Sequence, residues 1–169
     1  MSQTIKVIDL LNKIANGEEV PIKIKVDNKI YIYDVYEHIL HVIDNVPSEL
    51  AIRLAALFHD VGKPLAYIED EEHIGHFYGH WTISKEIFLD FARRHNLDPE
   101  LTNTVANLIY YHDLNPADIG TDIANRLGLK DLQLLFILKR ADALAQNKKY
   151  NHRLALYDEE EQRIRRLVK

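Results

Sequence analysis

The stretch LAALFHDVGKPLAYI, residues 54–68, ends an apolar helical run with two adjacent ionisable side chains, His59 and Asp60. A polar group that is buried without a partner costs on the order of 1–3 kcal/mol, and a buried charge costs more. The helical pattern stops at Gly62 and Pro64, so the sequence predicts both side chains in the last turn of a central helix. They therefore need partners from other parts of the chain.

Length and composition predict one folded domain. The chain has 169 residues, of which 47% are hydrophobic and 28% charged, an ordinary globular composition. Without cysteines, a metal could be held only by nitrogen and oxygen ligands. The net charge of -5 argues against a broad nucleic-acid-binding surface. No apolar run approaches the ~20 residues of a spanning helix, and the N-terminus lacks the apolar core of a signal peptide, so we expect a cytoplasmic protein that does not enter the membrane.

Hydrophobic spacing predicts an all-α fold with a small N-terminal helix and β-hairpin. The hairpin covers residues 20–34, around Asp27-Asn28. Loops are predicted at 63–79 and 113–120. Expected helix caps are Asp34 with Glu37, Ser48, Asp98 and Thr121. The predicted helices span residues 4–17, 35–46, 49–61, 80–96, 100–112, 122–128, 129–147 and 150–169.

Six ionisable residues stand at helix ends or inside apolar helices, where an isolated ionisable group would be destabilising. A shared cation would stabilise all of them together, because imidazole and carboxylate suit divalent metals and a carboxylate can bridge two of them. This chemistry predicts a site for one or two divalent ions, with manganese, iron, cobalt, nickel, zinc and magnesium left open. The six residues are His38, His59, Asp60, His80, His112 and Asp142.

Four segments resemble the HD-domain superfamily of metal-dependent phosphohydrolases. They are EHILHVIDNVPSELAIRLAALFHDVGKP (37–64), HFYGHWTISKEI (76–87), LIYYHD (108–113) and RADALAQN (140–147). The likeness is greatest to the HD domains of CCA-adding tRNA nucleotidyltransferases and their stand-alone relatives. It covers about residues 34–147, so we expect a helix and hairpin extension at 1–33 and an HD domain at 34–169.

The resemblance implies a role for each site residue. It makes His38, His59, Asp60 and Asp142 the ligands of one metal. His80 and His112 would help to hold a second metal, with Asp60 bridging. Lys63 resembles a family lysine that faces the substrate phosphate, and Trp81 stands where many relatives carry a polar or acidic residue.

The other histidines have plainer interpretations. We expect His76 to line the pocket from its loop. His41 would support His38 or pack between helices, and His73, His95 and His152 are expected at the surface.

The implied activity is hydrolysis of a phosphomonoester or phosphodiester, with Asp60 and Lys63 as catalytic residues. Small nucleotide-like substrates or 2',3'-cyclic phosphates are favoured by the resemblance. The alternative is a degenerate HD domain that binds a nucleotide, a nucleic acid or a protein, for example as a nucleotide sensor. The sequence leaves the oligomeric state open.

Overall fold

The computed structural model describes residues 21–26, 29–146 and 151–169 of the chain. The helix predicted at 4–17 and the turn at Asp27-Asn28 lie outside these residues. Two short strands come first, β1 (Pro21–Val26) and β2 (Lys29–Asp34). They pair antiparallel, from Pro21 opposite Asp34 to Val26 opposite Lys29. The predicted hairpin is therefore present.

Helices make up most of the described chain, which confirms the predicted all-α class. A second antiparallel pair, formed by two strands of two residues each, lies between the third and fourth helices of the described chain. In chain order the elements are α1 (Val35–Asp44), α2 (Leu50–Phe58), α3 (Lys63–Ala66), β3 (Ile68–Glu69), β4 (Gly75–His76), α4 (His80–Arg94), α5 (Pro99–Tyr111), a 3-10 turn (Pro116–Asp118), α6 (Thr121–Ala145) and α7 (His152–Arg165).

Helix α2 is the centre of the bundle, because it contacts α1, α4, α5 and α6. Its Ile52, Ala55 and Ala56 are fully buried, as the apolar sequence of this helix leads one to expect. The helix ends at Phe58, earlier than the predicted end at residue 61, so His59 is its C-cap and does not lie in its last turn. Asp60 follows in a turn, so both ionisable side chains sit where several helices converge.

Some predicted helix ends are confirmed and others are wrong. Asp98 caps α5, since its carboxylate accepts a hydrogen bond from the Leu101 amide at 3.0 Å. Ser48 does not cap α2, whose N-cap is Glu49. Thr121 is the first residue of α6 and not its cap. The boundary predicted between the helices at 122–128 and 129–147 is confirmed, because the backbone of Gly128 is not helical, with φ at +71°, and divides α6 into two helical segments.

The loop predicted at 63–79 is wrong in part, because it contains α3 and the short β3–β4 pair. Pro64 favours the single turn of α3, since its fixed φ suits the start of a helix. Among the described helices, none is both long enough and apolar enough to cross a membrane.

Candidate metal centre

Six ionisable side chains from five parts of the bundle meet beneath the end of α2. His59 and Asp60 are almost completely buried, at 0% and 1% relative exposure. The structure brings together all six residues that the sequence singled out, and they form two groups that share Asp60. His38 comes from α1, His80 from the start of α4, His112 from the end of α5 and Asp142 from α6.

The first group contains His38, His59, Asp60 and Asp142, whose candidate ligand atoms all lie within 4.8 Å of one another. His38 Nε2 is 2.8 Å from Asp142 Oδ1 and 3.3 Å from Asp60 Oδ2. His59 Nε2 lies 3.3 Å from the same Asp60 oxygen and 3.6 Å from Asp142 Oδ1. Two imidazoles therefore face two carboxylates.

The second group contains Asp60, His80 and His112. The other oxygen of Asp60, Oδ1, lies 3.2 Å from His80 Nε2 and 3.5 Å from His112 Nε2. The two ring nitrogens are 3.2 Å apart. Asp60 thus turns one oxygen toward each group, which is the arrangement that a bridging carboxylate requires.

The rings of three histidines are oriented by the stretch of backbone that precedes each of them. In each of them Nδ1 lies within hydrogen-bond distance of the backbone carbonyl three residues earlier. A carbonyl can only accept, so Nδ1 carries the hydrogen, and in the neutral ring Nε2 keeps a lone pair that faces the centre. The distances are 2.7 Å for His59 to Ala56, 3.0 Å for His80 to Phe77 and 2.6 Å for His112 to Ile109.

This donor set fits a divalent cation. Lone pairs of imidazoles and carboxylate oxygens are packed together in a buried space, where they repel unless a proton or a metal lies between them. Within the described part of the chain, Asp60 Oδ1 is a buried oxygen without a hydrogen-bond donor of acceptable geometry. Nitrogen and oxygen ligands of this kind suit first-row divalent metals.

Without a metal, positive charge gathers on the histidines of the first group. Burial lowers the pKa of His59, but the carboxylates of Asp60 and Asp142 outweigh it and raise the pKa to about 10. For Asp60, burial raises the pKa, but His59 and Lys63 outweigh it and hold the pKa well below its usual range. The pKa of Asp142 is lowered in the same way, against its burial, by His38 and His59. The two carboxylates of the first group therefore stabilise positive charge at this position.

His112 of the second group behaves differently. Its burial is the largest influence and lowers its pKa, with the neighbouring charges of His59 and His80 acting in the same direction. A neutral ring is the form that can bind a metal.

Lys63 lies at the edge of the first group. It is the first residue of α3, and its Nζ donates to Asp60 Oδ2 at 2.6 Å. The ammonium is 5.8 Å from the centroid of the Phe77 ring. A positive charge therefore stands beside the carboxylate that both groups share.

Gly62 has a structural reason that the sequence interpretation missed. A Cβ atom at this position would lie 2.5 Å from the carbonyl oxygen of His80 and 2.7 Å from the amide of Ser84. The Gly62 amide also donates to Ser84 Oγ at 2.9 Å. The turn that carries Asp60 and the start of α4 thus pack backbone against backbone, which only glycine permits.

His76 and Trp81 lie outside both groups. His76 Nε2 is 2.7 Å from Asp70 Oδ2, and its ring stacks on that of Tyr78 with centroids 5.1 Å apart. Trp81 is partly exposed and meets the His80 ring edge to face at 5.4 Å. His41 is exposed, so the prediction that it supports His38 or packs between helices is wrong.

Lys139 is a buried charge that the sequence interpretation missed. It is 3% exposed, and its Nζ donates to the carbonyls of His112 and Leu114, each at 2.6 Å. Burial lowers its pKa to about 8. The signal in the sequence was the same as for Asp142, because Lys139 interrupts the same apolar run, LLFILKRADALA.

The HD domain family model matches residues 4–147 of the chain. The chain belongs to the HD domain family. HD domains are typically metal-dependent hydrolases, in keeping with the two groups around Asp60. The match begins well before residue 34, and the boundary that we expected there stays a prediction. No curated protein matches this sequence significantly.

Proposed function

We propose that this HD domain is a metal-dependent phosphohydrolase that cleaves a phosphomonoester or phosphodiester bond of a small nucleotide-like substrate. The observation that carries the proposal is Asp60, a buried carboxylate with one oxygen in each of two groups of metal-ligating side chains. Two metals bridged by a carboxylate are a recurrent arrangement in enzymes that attack phosphorus.

The proposed ligands are divided between two positions. One divalent cation would be held by His38, His59, Asp60 and Asp142, and a second by Asp60, His80 and His112. When bound, such cations supply Lewis-acid chemistry, because they lower the pKa of a water from ~15.7 toward ~7 and polarise phosphoryl oxygens.

The chain's own side chains then have distinct tasks. His59, His80 and His112 keep their Nε2 atoms directed at the centre through their bonds to backbone carbonyls. Lys63 carries the charge that would neutralise a substrate phosphate next to Asp60. Among the described side chains of the centre, Lys63 and Asp142 are the more exposed, at 17% each, so we expect water and substrate to enter from their side.

The substrate class rests on the resemblance to the HD domains of CCA-adding enzymes and their stand-alone relatives, which favours nucleotides and 2',3'-cyclic phosphates. We propose His76 and Trp81 as substrate-contacting residues at the rim. Trp81 touches the ring of His80 and is partly exposed, so a base could stack beside the second position. The cytoplasmic location stays a prediction.

A pair of aspartates on helix α6 tests the proposal. Asp142 belongs to the first group, whereas Asp131 is a buried aspartate that accepts a hydrogen bond from Thr104. The chelated protein is reloaded with manganese, cobalt, nickel, zinc or magnesium and assayed against phosphomonoesters and 2',3'-cyclic nucleotides. We expect Asp142→Asn to lose tenfold or more in metal affinity and on the order of 10²-fold in turnover, and Asp131→Asn to retain both.

The proposal is wrong if Asp142→Asn binds metal and turns over substrate as the parent protein does. Metal binding without turnover across the whole panel would favour the alternative, a degenerate HD domain that only binds its ligand.

A further inference from the structure

Lys139 is a buried cation that the proposed hydrolysis does not use. It lies on helix α6, three residues before Asp142, so the two side chains share one face of that helix. Its ammonium contacts the main chain at the end of α5, where it donates to the carbonyls of His112 and Leu114.

The two hydrogen bonds of Lys139 join helix α6, which carries Asp142, to the backbone of His112 and Leu114. Asp142 belongs to the first group, and His112 to the second. The ring of His112 is oriented by the carbonyl of Ile109, whereas its backbone lies at the C-cap of α5. The last carbonyls of a helix have no partner within the helix, and a cation nearby stabilises them. Lys139 supplies that cation from the helix that carries Asp142.

We propose that Lys139 is a positioning residue that fixes the distance of His112 from Asp60 and so builds the second metal position. The inference rests on the proposed function only in naming that position as a metal site. The hydrogen bonds to His112 and Leu114 are each 2.6 Å long, which is short for an ammonium and a neutral carbonyl.

Packing alone does not account for a lysine here. A methionine has a stem of similar length, fills irregular space well and carries no charge to desolvate. A buried ammonium is costly to desolvate, so its place here depends on the two carbonyls to which it donates. Because Lys139→Met leaves both carbonyls without this donor, we expect the variant to melt somewhat lower than the parent and its second metal position to weaken selectively.

Zinc titration separates positioning from stability. We expect Lys139→Met to bind the first equivalent of Zn²⁺ within threefold of the parent affinity and the second at least tenfold more weakly. The matched control is Lys130→Met, on the exposed side of the same helix, which should leave both affinities unchanged. Equal binding of both equivalents by Lys139→Met overturns the inference, and so does equal weakening of both together with a lower melting temperature.

A second measurement distinguishes this inference from the proposed function. In the metal-free proteins, the ring signals of His112 in an NMR spectrum should move in Lys139→Met, while those of His38 stay in place. If the parent binds no second Zn²⁺, the proposed second position fails, but the His112 signals still decide whether Lys139 positions this ring. Unchanged His112 signals overturn the positioning role.

The parent protein provides a test if Lys139→Met does not fold. The ¹⁵N signal of the buried Lys139 ammonium is followed during the same Zn²⁺ titration. We expect the signal to shift with the second equivalent and not with the first. A signal that does not respond to the second equivalent overturns the inference.

Discussion

Replacing Gly62 by alanine should separate the two halves of the centre. The new Cβ would lie 2.5 Å from the His80 carbonyl oxygen, about 0.9 Å short of the 3.4 Å at which ordinary van der Waals contact begins. Both nearest atoms are backbone atoms, so no side-chain rotation can relieve the clash. Either the turn that carries Asp60 or the start of α4 must move, and in both cases the contact of 3.2 Å between Asp60 Oδ1 and His80 Nε2 lengthens.

The size of the effect follows from this overlap. Overpacking a tightly packed site costs about 1–3 kcal/mol, which corresponds to a melting temperature lower by roughly 3–10 °C for a chain of this length. A displacement approaching 1 Å would also remove His80 from ligand distance, so we expect the second equivalent of Zn²⁺ to bind on the order of 10-fold to 100-fold more weakly. The contact between His38 and Asp142 involves neither moving segment and should persist.

Differential scanning calorimetry and isothermal titration with Zn²⁺ check both numbers. Gly120→Ala is the matched control, because Gly120 is also a helix N-cap and a Cβ there meets no atom within 4 Å among the described residues. The reasoning is refuted if Gly62→Ala melts with the control and retains its second Zn²⁺. It is also refuted if the variant loses stability but binds both equivalents as tightly as the parent.

Three further predictions concern charge and metal. At about pH 7.5, binding of the first Zn²⁺ should release a proton from His59, because a pKa near 10 keeps its ring charged in the metal-free protein, and the apparent affinity should rise about tenfold per pH unit up to that pKa. A pH-indicator dye in weak buffer should record more proton release for the first Zn²⁺ than for the second, since burial lowers the pKa of His112. Equal proton release for both ions would contradict this prediction. Lys63→Met should bind the first Zn²⁺ about tenfold more tightly, because the substitution removes the ammonium that lies 2.6 Å from Asp60. The same variant should turn over its phosphate substrate on the order of 10²-fold more slowly, and weaker Zn²⁺ binding would contradict the assigned contact. Chelation should abolish activity with little change in far-UV circular dichroism, and metal at 100 times its Kd should restore about 2.7 kcal/mol of stability. Loss of helix on chelation would contradict the inference that the histidine rings are oriented without a metal.

The candidate centre could be predicted because its members are chemically out of place in their segments. His59, Asp60 and Asp142 each interrupt an apolar helical pattern, and such an interruption is visible in the sequence itself. The cap at Asp98 is local in the same way, since the carboxylate and the amide it accepts from are three residues apart. Features that depend on residues within one helical turn could therefore be predicted from the sequence.

Contacts between distant segments could not be predicted in this way. The sequence interpretation took Gly62 as the residue that stops a helix, whereas the structure requires a glycine because the backbone of α4 approaches it. The interruption of an apolar run at Lys139 was visible in the sequence, but its partners were not, because they are carbonyls, which every residue has. The β3–β4 pair was missed because two residues are too short for a strand pattern.

The hydrogen bonds from three histidine rings to nearby backbone carbonyls affect how the protein acquires a metal. Because His59, His80 and His112 are directed by carbonyls three residues away, their orientation belongs to the folded chain and does not depend on an ion. Imidazole and carboxylate ligands suit several first-row divalent metals, and the choice among them depends on site geometry and on metal availability. Because the ligands are already oriented before any ion binds, we expect the supply of ions around the protein to contribute to which metal the centre binds.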